Sequence, residues 1–324
     1  MYGYIIVLIF STDSSQFQEM KPKSNSLTTY NEDFLRKSDQ ILDDLSIDLV
    51  IADPPYFKVV GEKWDYQWKT LEEYLVWCGE WLDILEKKVR YGGSLYVFGY
   101  FRNLAKFISV AEKRGFELRQ QIIIDKGIKS VAGRKTSTYR LFPNVTESIL
   151  FFVKDNKKII KPLLKDKAQE LGLTAKQINE RLGVKSNGGG MWSIYTGKNI
   201  CEQFPTKKTW DKLATVLELD IDYYNYAQTF NPIMGLTDVW TDIEFYSKDR
   251  IHPTEKPYKL IERLILASSN KGDKILDPFS GSGVTGVVSA GLDRDCQLFE
   301  IDKEYHDKYL ERFKKSDITF SHIL

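Results

Sequence analysis

The stretch Lys274-Ile-Leu-Asp-Pro-Phe-Ser-Gly-Ser-Gly283 decides the fold. A short apolar run stopping at an Asp-Pro corner predicts a buried strand over Lys274 to Phe279, and the glycines behind it predict a tight turn into a helix reaching about Ala290. Gly281 and Gly283 let the backbone approach a ligand with no Cβ in the way, and the helix after them presents free N–H groups. A further strand, Gln297 to Ile301, carries Glu300, about 20 residues on, where a carboxylate can accept from both hydroxyls of a ribose. Strand, glycine loop, helix and acid-bearing strand together predict a nucleoside cofactor at the carboxyl edge of an open sheet.

The same alternation occurs earlier in the chain. Ile47 to Ala52 (IDLVIA) predicts a buried strand, and Leu71, Tyr74, Leu75, Cys78, Trp81, Leu82, Leu85 and Val89 predict a helix ending at Gly92-Gly93. Ser94 to Gly99 predicts the next strand, Arg102 to Arg114 a helix stopped by Gly115, and Tyr258 to Ser268 the helix that leads into the second block. The fold class is therefore α/β, a mostly parallel sheet with helices on both faces. Neither block makes a full sheet alone, so 27–160 and 250–324 are expected to close one domain, with 126–250 projecting from it.

Asp53-Pro54-Pro55-Tyr56 follows the first strand. Two prolines make a stiff corner with no N–H donors, so the Asp53 carboxylate and the Pro54 carbonyl face outward as fixed acceptors beside the tyrosine ring. Such a corner suits a planar base with an exocyclic amine, which donates two hydrogen bonds while Tyr56 stacks on the ring.

Composition narrows the classes. With 324 residues, 42% apolar and 13% aromatic, the chain can bury a full core. Its net charge of +1 argues against coating nucleic acid through bulk charge, yet Lys126 to Lys167 hold eleven Lys and Arg against three Asp and Glu, a local +8 within an otherwise acidic chain. Cys78, Cys201 and Cys296 are too scattered for a disulfide framework or a zinc knuckle, and the cytoplasm fits best. The apolar run in residues 1–10 is too short to span a membrane, and 1–26 reads as a disordered extension.

Residues 163–222 carry their own helical pattern: Leu163, Leu164, Ala168 and Leu171; Ala175, Ile178 and Leu182, capped by Thr174 and stopped at Gly183; Trp210, Leu213, Ala214 and Leu217. Short helices joined at glycines suggest a helix-turn-helix.

At these motifs the chain resembles the S-adenosylmethionine-dependent DNA amino-methyltransferases. The DPPY at Asp53 to Tyr56 resembles their catalytic motif, DPFSGSG at Asp277 to Gly283 their cofactor motif, and HPTEKP at His252 to Pro257 the segment before the cofactor helix. The order of motifs resembles the β-class, and the matching segments cover about 27–153 and 250–315. The resemblance implies a permuted Rossmann-like sheet with an inserted, mainly helical target-recognition region over 126–250. It implies S-adenosylmethionine as cofactor and no metal. Catalysis would fall to Asp53, Pro54, Pro55 and Tyr56. Cofactor contacts would come from Asp33, Asp53, Thr254, Lys256, Asp277, Phe279, Ser280, Gly281, Ser282, Gly283 and Glu300, with Thr254 and Lys256 near the methionine carboxylate. Glu32 stands where the family often has glycine before Asp33, and Phe57 where asparagine is frequent.

The string LGLTAKQINERLGV with its sequel resembles the helix-turn-helix of Cro/C1-type repressors, which would make Asn187 to Tyr195 the reading helix. DNA contacts are then expected from Lys126, Lys129, Arg134, Lys135, Arg140, Lys185 and Asn187. The implied activity is methylation of adenine N6 in a short double-stranded DNA site by base flipping, since the cytosine-N4 enzymes more often carry Ser in place of Asp53. Alternatives left open are a cytosine-N4 enzyme, a DNA-binding regulator with an inactive methylase domain, and an RNA or protein methyltransferase. Expected surroundings are a prokaryotic or phage-borne cytoplasmic protein with no membrane partner and a cognate restriction endonuclease, with the oligomeric state left open and a dimer among the options.

Overall fold

The structure, a computed structural model, describes residues 26–58, 63–131, 140–184, 190–197, 202–245, 255–316 and 318–323. The first block runs β1 (Leu27–Tyr30), α1 (Phe34–Ile41), β2 (Ile47–Ala52), α2 (Leu71–Lys88), β3 (Val89–Gly99), α3 (Phe101–Glu112), β4 (Phe116–Asp125) and β5 (Thr146–Lys154). Next come α4 (Lys157–Glu170), α5 (Ala175–Arg181), α6 (Gly190–Tyr195) and α7 (Lys207–Leu217). The second block is β6 (Val239–Trp240), α8 (Tyr258–Ser268), β7 (Lys274–Asp277), α9 (Val284–Gly291), β8 (Asp295–Phe299), α10 (Lys303–Lys315) and β9 (Ser321–Ile323).

These strands form one sheet in the order β6-β4-β5-β3-β2-β7-β8-β1-β9. The two blocks meet at its centre, where Leu49 of β2 lies opposite Ile275 of β7 and Val50 opposite Leu276. The Lys274 N–H donates to Asp48 Oδ2 at 2.9 Å across 226 residues of chain. The pairings are parallel except those of β5, which runs antiparallel to β3 and β4. The start of β5 therefore lies at the edge where β3 and β4 end: Ser148 faces Gly99, and Glu147 faces Ile124.

Successive side chains of β2 enter opposite cores, which is why its sequence is apolar without alternation. Leu49 and Ile51 join Leu260, Ile265, Tyr309 and Phe313 beneath α8 and α10, while Val50 and Ala52 join Trp81, Leu82, Leu85 and Phe107 beneath α2 and α3. Each of the larger buried side chains contributes roughly 1.5–3 kcal/mol. A separate core of Ile160, Leu164, Ile178, Leu182, Trp192, Trp210, Leu213 and Leu217 holds α4 to α7 together. The expected Thr174 cap of α5 is present as a reciprocal pair with Gln177.

Three local expectations are corrected. α2 ends at Lys88, not at Gly92-Gly93, and both glycines lie inside β3. Between the pairs Ile47–Val89 and Leu49–Ser94 the ladder bulges. Gly92 turns there at φ +76°, and a Cβ on it would lie 2.3 Å from the Tyr226 carbonyl oxygen. These glycines thus allow a strand bulge and close backbone approach, the other common use of the residue. β7 and β8 end at Asp277 and Phe299, so Phe279 and Glu300 belong to the loops after them. The part of the proposed reading helix that is described, α6, has six residues, and Trp192 and Tyr195 turn into the insert core. Glycines at its start give it little helical drive of its own.

Candidate active site

Because β2 and β7 are neighbours, they deliver their loops to one place. Asp53, after β2, and Asp277, closing β7, line the same cavity of ≈ 320 Å³ at the carboxyl edge of the sheet. On one side of it Gly281 turns at φ +47° and Gly283 at φ +69°. The Gly281 N–H donates to Glu300 Oε2 at 2.7 Å and the Asp302 N–H to Glu300 Oε1 at 2.9 Å, so the carboxylate is held by both oxygens at the cavity wall. Burial pushes Glu300 up to about 7 against those backbone donors. Asp277 is likewise pushed up to about 7 by burial, although Thr285 Oγ1 donates to it at 2.6 Å and the Phe279 N–H at 3.1 Å.

Phe279 packs against Trp77 and Trp81, ring centroids 5.6 and 5.7 Å away, and edge-on to Phe34 at 6.4 Å. Together Phe34, Trp77 and Phe279 give the cavity an apolar wall against which a purine ring can lie. Asp33 caps α1, accepting from the Leu35 N–H at 3.0 Å, and lines the cavity beside Glu32. Ser280 and Ser282 are buried in the loop, with the Ser280 N–H and hydroxyl both donating to the Phe299 carbonyl at 2.9 and 3.0 Å.

The opposite side is the Asp53 corner. The Tyr56 hydroxyl lies 2.8 Å from Asp53 Oδ1 and 3.1 Å from Glu147 Oε1. The Lys256 ammonium lies 2.8 Å from Asp53 Oδ2 and 3.0 Å from Glu147 Oε1. Buried Asp65 accepts from the Tyr56 N–H at 2.8 Å and from the Lys58 N–H through its carbonyl at 3.0 Å, which fixes the loop behind the two prolines. Burial raises the Asp53 carboxyl above its ordinary value, with Lys256 pulling it back. At Glu147 the balance reverses: burial pushes upward, but the ammonium groups of Lys256 and Lys126 outweigh it and the carboxyl lies low. Lys256, desolvated between two carboxylates, is raised.

Of the expected residues, Asp33, Asp53, Pro54, Pro55, Tyr56, Lys256, Asp277, Phe279, Ser280, Gly281, Ser282 and Glu300 line this one cavity. Gly283 lies directly behind it as the left-handed residue that opens α9. Thr254, Arg134, Lys135, Lys185 and Asn187 lie outside the described residues, as does the side chain of Lys129. Lys256 takes Asp53 and Glu147 as partners in this structure, because a buried ammonium goes to the nearest carboxylates. Lys126, expected on DNA, points inward: its ammonium lies 3.4 Å from Glu147 Oε2 and 5.7 Å from the Phe245 ring centroid. Arg140 is exposed.

The local +8 is also less free than its count suggests. Lys157 meets Glu117 and Asp155, Lys161 meets Glu202, Lys167 meets Glu170, and buried Lys154 approaches Glu86 and donates to the Val89 carbonyl at 3.0 Å. Acids distant in sequence thus meet three of its eleven cations, Lys154, Lys157 and Lys161. Sequence reasoning missed Glu147, Asp65, Trp77 and Phe34. A lone carboxylate heading the apolar run ESILFFV was a usable signal for Glu147; nothing in the sequence marks Asp65.

Two kinds of comparison bear on this geometry. The profile of the DNA methylase family (N6_N4_Mtase) matches residues 47–311. The type II methyltransferase M2.DpnII of Streptococcus pneumoniae is 26% identical over 285 residues, 80% of each chain. The DNA adenine methyltransferase YhdJ of Escherichia coli K12 is 28% identical over 274 residues, covering 82% of this chain and 76% of its own. Among solved structures, M1.HpyAVI in its SAM complex superposes with a TM-score of 0.51 at 20% identity, covering 88% of this chain and 99% of that one.

Proposed function

Since the chain belongs to the DNA methylase family, we propose that it moves a methyl group from S-adenosylmethionine to adenine N6 in a short double-stranded DNA site. The observation that carries this reading is the meeting of the Asp53 corner and the glycine loop on one cavity, an amine acceptor facing a nucleoside cradle. Adenine is favoured by the Asp53 position and by the name of the E. coli relative. When bound, the cofactor supplies a methyl group on a sulfonium centre. Glu300, held by both oxygens at the cavity wall, suits the ribose hydroxyls; Phe34, Trp77 and Phe279 suit the adenine.

The chain's own part in the chemistry falls to Asp53 and Pro54. An aromatic amine is a poor nucleophile because its lone pair is delocalised into the ring. Hydrogen bonds donated to the Asp53 carboxylate and the Pro54 carbonyl favour the pyramidal amine and stabilise the positive charge that develops on it. The half-buried setting strengthens both effects by excluding water. Incubation with methyl-labelled S-adenosylmethionine and duplex DNA, followed by digestion to nucleosides, is expected to place the label in N6-methyldeoxyadenosine; label in N4-methyldeoxycytidine, RNA or protein would refute the reading.

Glu300 makes cofactor binding depend on pH. Its pKa of about 7 in the free protein means that a proton occupies the carboxylate below that pH, where the ionised acceptor is lost. The cofactor dissociation constant, measured by calorimetry, is expected to be flat above about pH 8 and to rise toward tenfold per unit below about pH 7. Glu300→Gln is expected to bind more weakly at pH 8 and to flatten the curve; a surviving slope would assign the titration to another group.

We further propose that the unit built on α4 to α7 docks the DNA, acting as a helix-turn-helix in the wider sense of short helices around a Trp210-centred core. Replacing 163–222 by a short linker is then expected to weaken DNA binding about tenfold or more with cofactor affinity unchanged. Unchanged DNA affinity and site choice would make the insert a structural prop. A cytoplasmic setting and pairing with a restriction endonuclease fit the type II relative. No helix among the described residues is long and apolar enough to cross a membrane.

A further inference from the structure

We propose that Glu147 is a positioning residue for methyl transfer: from the start of β5 it holds the Tyr56 hydroxyl and the Lys256 ammonium on the two oxygens of Asp53 and shares the lysine charge with it. The inference rests on the proposed transfer reaction and adds a residue that no catalytic motif contains.

Geometry places it there. β5 is reversed, so its first residues reach the edge where β2 gives way to Asp53, and Glu147 is 9% exposed. One oxygen, Oε1, contacts both Tyr56 at 3.1 Å and Lys256 at 3.0 Å, and these same two groups contact Asp53 at 2.8 Å each. The other oxygen faces Lys126 at 3.4 Å. Tyr56 and Lys256 are therefore each shared between two carboxylates, which fixes the plane of Asp53 against rotation.

Charge gives the arrangement a catalytic sense. Lys256 beside Asp53 alone would cancel the negative charge that must stabilise a developing cation on the amine. With Glu147 present, the buried trio Asp53, Glu147 and Lys256 carries a net −1, offset only by the less buried Lys126 on the other oxygen of Glu147 at 3.4 Å, and Lys256 stays buried and satisfied. Other ionisable groups facing Asp53 are Tyr56 on its own loop, Tyr74 on α2 and Asp277 on β7; Lys126 faces Glu147 from the far side.

The test compares single-turnover transfer and its pH dependence in wild type, Glu147→Gln, Glu147→Asp and Lys256→Gln, with cofactor affinity measured alongside. Wild-type transfer establishes the reaction independently of the variants, so its absence would sink the reaction and leave this residue's role a separate matter. In Glu147→Gln the plateau rate is expected to fall about 10–100-fold with cofactor affinity within about twofold of wild type. The lysine then belongs to Asp53 alone, so the acid limb moves to lower pH; in Lys256→Gln it moves to higher pH. A plateau within twofold of wild type in Glu147→Gln, or a lower plateau with an unmoved acid limb, overturns the proposal. Should Glu147→Gln fail to fold, Glu147→Asp decides: it keeps the charge and shortens the reach, so an unmoved limb with a plateau about tenfold lower is expected, and a wild-type rate overturns the proposal.

Discussion

Asp53→Ala is expected to lower the methyl-transfer rate at least about 10³-fold while leaving the cofactor dissociation constant within about twofold of wild type. The carboxylate is the one ionised acceptor that the proline corner itself presents to the target amine, and removing it takes away both a hydrogen bond and the charge that opposes the developing cation. Stability is expected to survive, because Lys256 keeps Glu147 at 3.0 Å and the loop keeps its anchor from the Tyr56 N–H to Asp65 at 2.8 Å. Asp53→Asn retains the shape and one acceptor and is expected to lose about 10²-fold. Rapid-quench measurement of labelled methyl transfer, paired with calorimetry of cofactor binding, separates the chemical step from binding. Transfer by Asp53→Ala above about a tenth of wild type would remove Asp53 from the chemistry.

The second large effect lies at Gly283. This residue opens α9 in the left-handed region, φ +69°, and a Cβ on it would sit 2.8 Å from Tyr309 Cβ and Cγ and 3.0 Å from Phe313 Cζ. A left-handed conformation costs an L residue about 1–2 kcal/mol, and forcing a methyl group into a filled contact costs about 1–3 more. Gly283→Ala is therefore expected to destabilise the protein by about 2–5 kcal/mol and, by pushing α10 away from α9, to weaken cofactor binding through the Gly281 and Glu300 contact. Gly291 at the other end of α9 has nothing within 4 Å of the same added atom and serves as the control. Chemical denaturation of the two variants measures the difference. Equal stability of Gly283→Ala and Gly291→Ala would mean that α10 gives way without loss.

Much of the fold and of the site is legible in the sequence. The Asp-Pro corners at Asp53 and Asp277 mark strand ends because proline cannot continue a ladder, and the strand-to-helix turn at Gly281 and Gly283 requires residues with positive φ. The helix over Tyr258–Ser268 matches its expected bounds at both ends, since Pro257 starts it and its apolar spacing is regular. Strand direction was not legible. ESILFFV reads the same whether parallel or antiparallel to its neighbours, so the arrival of Glu147 beside Asp53 is a property of the assembled sheet. Gly92-Gly93 misled for a related reason: glycine caps helices and bulges strands alike, and only the close approach of Tyr226 selects between the two. The partners of the local +8 were not legible either, because the carboxylates that meet Lys154, Lys157 and Lys161, namely Glu86, Glu117 and Glu202, come from other parts of the chain.

The pairing of β2 with β7 has a consequence for how the protein is made. A ribosome adding about 5–20 residues per second needs roughly 11–45 s to travel the 226 residues between the central partners Asp48 and Lys274. Once β3 has been made it can cover β2 on one side, while the other edge of β2, the middle of the finished sheet, stands open as a template for unwanted strand addition until β7 arrives. The nascent chain therefore carries its amine-binding corner long before the nucleoside cradle exists, and the arrival of β7 both brings in the cradle and seals that open edge.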